Sequence, residues 1–222
     1  MIFKMNSITR SIVAVCLIDG VVGLSFGATA GHFGIDLWIP FILAVTVLAG
    51  ASEFIFISVL ATGGNPIMGA LAGLLVNIRH LPFGVLVKHE VGSGWKHLLG
   101  SHLMNDESVA FALSQSKPER KKYAYWLSGL GILLCWPIGI LIGGVFSDLI
   151  INPEQLGLDA LFPCLIFALV VPTISTKRKA IQSALGATLA TVSTPFLAAG
   201  LPAVLALSAL FLFPLKSKKK TT

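Results

Sequence analysis

Charge is scarce in this chain, and that scarcity decides its class. Only 12% of the 222 residues are charged while 55% are apolar, and mean hydropathy is +0.87. A water-soluble domain cannot keep so much apolar surface away from water, so the chain is read as an integral membrane protein. Cysteine is nearly absent too. Cys16, Cys135 and Cys164 stand singly inside apolar runs, without the paired spacing of a zinc site or redox couple, and are read as packing residues. There is no phosphate-cradling G-x-x-x-x-G-K-[ST] loop and no H-E-x-x-H, so nucleotide hydrolysis and metalloprotease chemistry are not encoded and no cofactor is expected. One G-x-S-x-G string exists, Gly23-Leu24-Ser25-Phe26-Gly27, but it lies within a helix-length apolar run rather than at a strand-to-helix turn. It reads as helix packing, and the chain is not expected to be an enzyme.

What is present is a series of apolar runs. Segments 11–30, 37–60, 66–87, 123–146, 158–174 and 180–199 each approach the 17 to 25 residues of a spanning helix. A seventh, 201–215, follows Gly200 and contains Pro202, and either spans a thin region or folds back. The expected fold is all-α, a polytopic membrane protein of six to seven transmembrane helices. The first thirty residues imitate a secretory leader, with Lys4 and Arg10 ahead of an apolar run ending Ala28-Thr29-Ala30. Asp19, Gly20, Gly23 and Gly27 within that run suit a packed helix better. The organisation expected is an amino-terminal segment (1–10), a first membrane half (11–87), a polar linker carrying a surface helix (88–122), a second membrane half (123–215) and a basic tail (216–222). In the linker, Asn105 is a good helix N-cap, with Asp106 and Glu107 in the first turn where the helix dipole favours negative charge.

The halves share a pattern. Gly34-Ile35-Asp36-Leu37-Trp38-Ile39-Pro40 recurs as Gly157-Leu158-Asp159-Ala160-Leu161-Phe162-Pro163. Ahead of each copy lies a helix with spaced glycines, Gly23 and Gly27 in one half, Gly139 and Gly143 in the other. Gly69-Ala70-Leu71 is likewise matched by Ser183-Ala184-Leu185. An odd number of crossings separates equivalent points, which predicts two inverted three-helix repeats with the substrate between them near the midplane.

Polar groups inside the runs mark the functional centre. Glu53, Asn77, Arg79 and His80 lie in segments 37–60 and 66–87, which are joined by the breaker Gly63-Gly64-Asn65-Pro66, and Asp19 lies in the first run. An ionisable group at the bilayer centre costs at least about 2.5 to 3.5 kcal/mol, so such groups face a partner, a cavity or a transport path. Glu53 and Arg79 either pair and hold two helices together, or recognise the two charges of an amino acid. In the second case Arg79 and the helix start at Pro66 supply the positive end and Glu53 the negative one, with Asn65, Asn77 and His80 completing the binding set. Burial in a low dielectric penalises the charged form of a carboxylate, which makes Glu53 and Asp19 candidates for carrying a proton. His32, His89, His97 and His102 read as interfacial.

These residues carry a family resemblance. Gly23-Leu24-Ser25-Phe26-Gly27, Ala49-Gly50-Ala51-Ser52-Glu53-Phe54, Asn77-Ile78-Arg79-His80, Asp106-Glu107-Ser108 and Gly157-Leu158-Asp159 with Pro163 occur in an order that resembles the large subunit of the branched-chain amino-acid exporters, the azaleucine-resistance or AzlC type. The resemblance implies export of small hydrophobic amino acids across a bacterial inner (plasma) membrane, together with a small membrane subunit of the AzlD type. Glu53 stands where that family usually has glutamine, and Asp19 adds a charge. The expected function is therefore a secondary transporter subunit working by ion or proton exchange, with a passive channel for a small solute as the alternative. Nucleic acid is excluded as a partner, because the sixteen Lys and Arg have no nucleic-acid motif around them.

Thirteen of those sixteen lie in the linker, at 177–179 and in the tail, which face one side if every run crosses singly. The positive-inside rule makes that side cytoplasmic. In a cysteine-free background, single cysteines at Lys96, Arg178 and Lys218 should therefore all resist a membrane-impermeant thiol reagent applied to intact cells. Labelling of any one from outside reverses the orientation.

Overall fold

The computed structural model describes residues 6–149, 167, 171, 174–197 and 201–210, and every regular element among them is helical. In chain order these are α1 (Ser7–His32), α2 (Trp38–Thr46), α3 (Gly50–Ala61), α4 (Pro66–Asn77), α5 (His80–Leu86), α6 (Trp95–His102), α7 (Asp106–Leu113), α8 (Pro118–Val145), α9 (Lys177–Ser193) and α10 (Leu201–Ala206), with 3-10 turns at Ser147–Leu149 and Leu207–Leu210. Among the described residues three stretches are long and apolar enough to cross a bilayer: Ser7–His32, Pro66–Leu86 and Pro118–Val145. Segment 158–174 and the second copy of the repeat, 157–163, fall almost wholly or wholly outside the described residues.

Local chemistry explains where the helices start. Pro66 and Pro118 open α4 and α8, where a missing N–H costs nothing, and Asn65 Oδ1 accepts from Ile67 N at 2.8 Å. Asn105 caps α7 as expected. Its Oδ1 accepts from Ser108 N at 2.8 Å while Ser108 Oγ accepts from Asn105 N at 3.0 Å, a reciprocal capping box.

The two glycine-bearing helices α1 and α8 pack against each other along their lengths. Their backbones touch at alternating glycines: a Cβ on Gly27 would fall on Ile140 O, one on Gly139 on Gly20 O, and one on Gly143 on Leu24 O. With no water to expel from between helices in a bilayer, close backbone approach of this kind is a principal source of attraction. Around this contact Ile12, Val22, Phe26, Ile132, Trp136 and Ile140 form the core.

Two parts of the fold differ from the reading of the runs. Segment 37–60 is not one helix. It breaks at Val47-Leu48-Ala49, with Leu48 at φ 50 and buried to 2% exposure. α2 and α3, at nine and twelve residues, are each too short to span alone at about 1.5 Å per residue. The linker, for its part, is a packed layer as much as a connection. α7 lies against α8 with Val109, Phe111 and Ala112 buried. Tyr125 Oη donates to Gly100 O at 2.6 Å, and Trp126 Nε1 donates to Glu90 O at 2.9 Å, which ties the stretch before α7 to the same helix. At the other end, α10 and its 3-10 extension fold back on α9.

Gly143→Val should destabilise the purified protein by about 1 to 3 kcal/mol, since the added methyls meet the backbone of α1 rather than a movable side chain. Gly84→Ala, whose Cβ meets nothing nearer than Met104 Sδ at 3.9 Å, should be close to neutral. Thermal unfolding in detergent, followed by size exclusion, distinguishes the two.

Candidate functional site

The break between α2 and α3 collects most of the buried polar chemistry. α3 begins there without a Ser, Thr, Asp or Asn at its N-cap, Ala49, and the cap comes from within the first turn instead: Glu53 Oε1 accepts from Ala49 N at 2.9 Å. The other oxygen, Oε2, accepts from Trp136 Nε1 on α8 at 3.0 Å. Glu53 is 1% exposed, so these donors replace the water it has lost. Phe26 and Phe54 complete the setting, with ring centroids 5.8 and 6.3 Å from Trp136 and 4.6 Å from each other. Sequence reasoning found Glu53 but missed Trp136, because nothing near it in an apolar run marks where its indole N–H will point.

Asn77 joins this group. Its Nδ2 donates to Ser52 Oγ at 3.1 Å, Ser52 Oγ donates to Ala49 O at 2.8 Å, and Asn77 Oδ1 has no partner. Ser52, Glu53 and Asn77 form the polar end of a groove of about 260 Å³ whose walls are Leu43, Val47, Phe56, Gly69, Ala70, Gly73 and Leu74. Gly73 sets the spacing of α3 and α4, since a Cβ there would stand 3.2 Å from Ser52 O.

Arg79 is committed elsewhere. It pairs with Asp106 at the start of α7, Nη2 to Oδ2 at 2.8 Å, with the side chains 24% and 20% exposed. Asp106, read from the sequence as a first-turn acid and part of a family motif, is thus an ion-pair partner from a segment 27 residues away. Arg79 and Glu53 do not pair in this structure. His80 Nδ1 donates to Asn77 O at 3.1 Å, and its ring meets Phe83 edge-on at 5.7 Å. It orients the joint between α4 and α5. Asn65 is exposed at the far end of α4, about 18 Å from Asn77 by helical rise, and is not brought to the groove.

On the opposite side of the break lies a second, smaller cavity of about 20 Å³. Asp19, Leu48, Ala49, Gly50, Asn105, Asp106, Glu107, Ile132 and Trp136 line it. Asp19 is 3% exposed and Glu107 4%. Burial pushes the Glu107 carboxyl well above the usual carboxylate range, Asp19 and Asp106 add to that, and Arg79 opposes it. Among the described residues no group of three or more His, Cys, Asp or Glu is arranged to hold a metal ion.

A family model described as "AzlC protein" matches residues 14–150. The chain belongs to the AzlC protein family. The match takes in both cavities and the α1–α8 contact, so the geometry above lies within the family's own stretch. The chain is 26% identical over 162 residues to the "Branched-chain amino acid transport protein AzlC" of Bacillus subtilis (strain 168), covering 71% of this chain and 63% of that protein. It is 24% identical over 155 residues to an "Uncharacterized membrane protein" of Haemophilus influenzae, covering 66% of this chain and 63% of the relative. The matched stretch spans a little under two thirds of the length of both curated relatives. No solved structure matches the chain significantly.

Within this AzlC-family chain Glu53 carries two N–H donors, and an amide can accept only one of them through its oxygen while its NH2 faces the other. Glu53→Gln should therefore lower stability by about 1 to 3 kcal/mol through one stranded donor. Trp136→Phe in the Glu53→Gln background should cost less than the two singles added together. Thermal unfolding of the four proteins gives the coupling, and strict additivity counts against the bond.

Proposed function

We propose that the chain is the large subunit of a secondary transporter that exports branched-chain or related small hydrophobic amino acids across a bacterial inner membrane, by exchange with protons or another ion. The observation that carries this reading is the groove between α2, α3 and α4. Its walls are apolar, and Ser52, Glu53 and Asn77 stand at its polar end, where the buried Asn77 Oδ1 has no partner within the protein. An ammonium group needs acceptors, and an aliphatic side chain needs apolar walls. At about 260 Å³ the groove is smaller than the roughly 300 to 1,000 Å³ of drug-sized sites, which suits a small amino acid. The Bacillus relative, a branched-chain amino acid transport protein by name, agrees with this chemistry. In this reading Glu53 and Asn77 face the substrate, while Arg79, held by Asp106, and His80 keep the joint beside it in place.

The finer architecture belongs to the same proposal. Six to seven spans in two inverted halves account for the paired glycine helices, which meet each other as α1 and α8. A small membrane subunit of the AzlD type would cover the apolar face of α4 and α5, where Ile67, Leu74, Leu81 and Val85 are all more than 60% exposed. A broken second run with half-helix ends near the centre is also the usual setting for solute sites in secondary transporters.

Counterflow tests the proposal. Proteoliposomes made from cells co-expressing the chain with its small subunit, and preloaded with leucine, should take up radiolabelled leucine faster than empty ones, and valine and isoleucine should compete while lysine and glutamate should not. Asn77→Leu should raise the half-saturating leucine concentration about tenfold, the loss expected for one hydrogen bond to a charged group. Uptake that is indifferent to preloading identifies a passive channel instead. Full activity of the chain without the small subunit removes that partner from the proposal.

A further inference from the structure

The small cavity at the break holds three buried polar atoms that have no hydrogen-bond partner: Asp19 Oδ2 on α1, Glu107 Oε1 on α7 and Asn105 Nδ2 just before α7. All three residues are at least nine-tenths buried, with exposures of 3%, 4% and 3%. The set consists of two acceptors and one donor around a space of about 20 Å³, which exceeds the roughly 10 to 15 Å³ that one water requires. An unmade hydrogen bond on a buried polar atom is costly, and one water has the two donors and the acceptor that this set calls for.

Two carboxylates around one small buried cavity cannot both stay ionised without a cation. The charged and titratable groups that act on this pair are few. From α7 comes Asp106, from the α4–α5 joint Arg79, and from α1 and α8 the thiols of Cys16 and Cys135. The one cation in that set, Arg79, already pairs with Asp106. The remaining negative charge is best relieved by a proton.

We propose that Asp19 and Glu107 form a buried proton-binding site in which one exchangeable proton is shared between the two carboxyl groups through a single water held by Asn105. Uptake forms one O–H bond on either carboxylate and cancels one of the two negative charges. Release breaks that bond and returns the proton to water. The protonated carboxyl donates to the bridging water, Asn105 Nδ2 donates to it as well, and the water donates to the second carboxylate. Leu48, Ala49 and Gly50 of the break line the same cavity, so a change in its charge acts on the backbone that carries Ser52 and Glu53 of the groove. The proton's use in transport rests on the exchange reading above, whereas proton binding does not and is measurable on purified protein without substrate.

Infrared titration of the reconstituted full-length chain tests it. At neutral pH a protonated-carboxyl stretch should be present, and it should fade as pH rises because the proton leaves. Glu107→Gln and Asp19→Asn should each shift that band in frequency and lower the pH at which it fades, since the remaining carboxyl stays buried but no longer faces a second carboxyl group. A band unchanged in frequency and in pH range in both Glu107→Gln and Asp19→Asn overturns the site, as does its absence from the wild-type chain. Where either variant fails to fold, carbon-13 labelling of the aspartates or of the glutamates in the wild-type chain decides the question. Each label should shift part of the band, and a band that responds to only one of them shows an unshared proton and overturns the proposal. Replacing choline by sodium in the buffer should change nothing, and displacement of the band by sodium makes the cavity a metal-cation site instead.

Discussion

A helix that starts inside an apolar body exposes N–H groups that no water satisfies, and the architecture around the α2–α3 break follows from that cost. Glu53 meets it from within the helix it caps, by accepting from Ala49 N. A buried carboxylate then becomes the next problem, since a single N–H does not replace its hydration. Trp136 supplies a second donor across 83 residues of chain. That demand fixes the rotation of α8, because the indole must reach Glu53 on α3 while Gly139 and Gly143 stay against α1.

The glycines make this rotation compatible with close packing. α1 and α8 approach until the backbone of one fills the space a Cβ would occupy on the other, at Gly27, Gly139 and Gly143. Larger residues there would push the helices apart and draw the Trp136 ring away from Glu53. Phe26, on the same helix as Gly27, fills the space beside the indole. The apolar contact and the polar one are thus a single constraint, stated once in small residues and once in a hydrogen bond.

Much of this was legible in the chain, and the part that was not has a common cause. The spaced glycines announced tight helices at α1 and α8, Asn105 announced the start of α7, and Asn65-Pro66 announced α4, all because the signal sits within a few residues of its effect. The break at Val47-Leu48-Ala49 left no such mark. Those residues are apolar and none is proline or glycine, so hydropathy reads straight through a left-handed Leu48 that tertiary contacts sustain. The partners of the charged residues were hidden for the same reason. A Glu53–Arg79 pair was one of two readings open from the sequence, yet Arg79 reaches Asp106 and Glu53 reaches Trp136, and no local pattern encodes either choice.

The two cavities beside the break explain why it is worth keeping. The groove lies against α3 and α4 and presents Ser52, Glu53 and Asn77, while the small cavity lies against α1 and α7 and presents Asp19 and Glu107. Between them runs the same short backbone, from Leu48 to Glu53. A continuous helix would have satisfied its own N–H and C=O groups and made this stretch indifferent to either side. A helix that begins here depends on the side chains around it, and residues of the break and of its first turn line both cavities. Coupling two sites requires an element whose arrangement both can bias, and the first turn of α3, held by a single carboxylate, is placed to be that element.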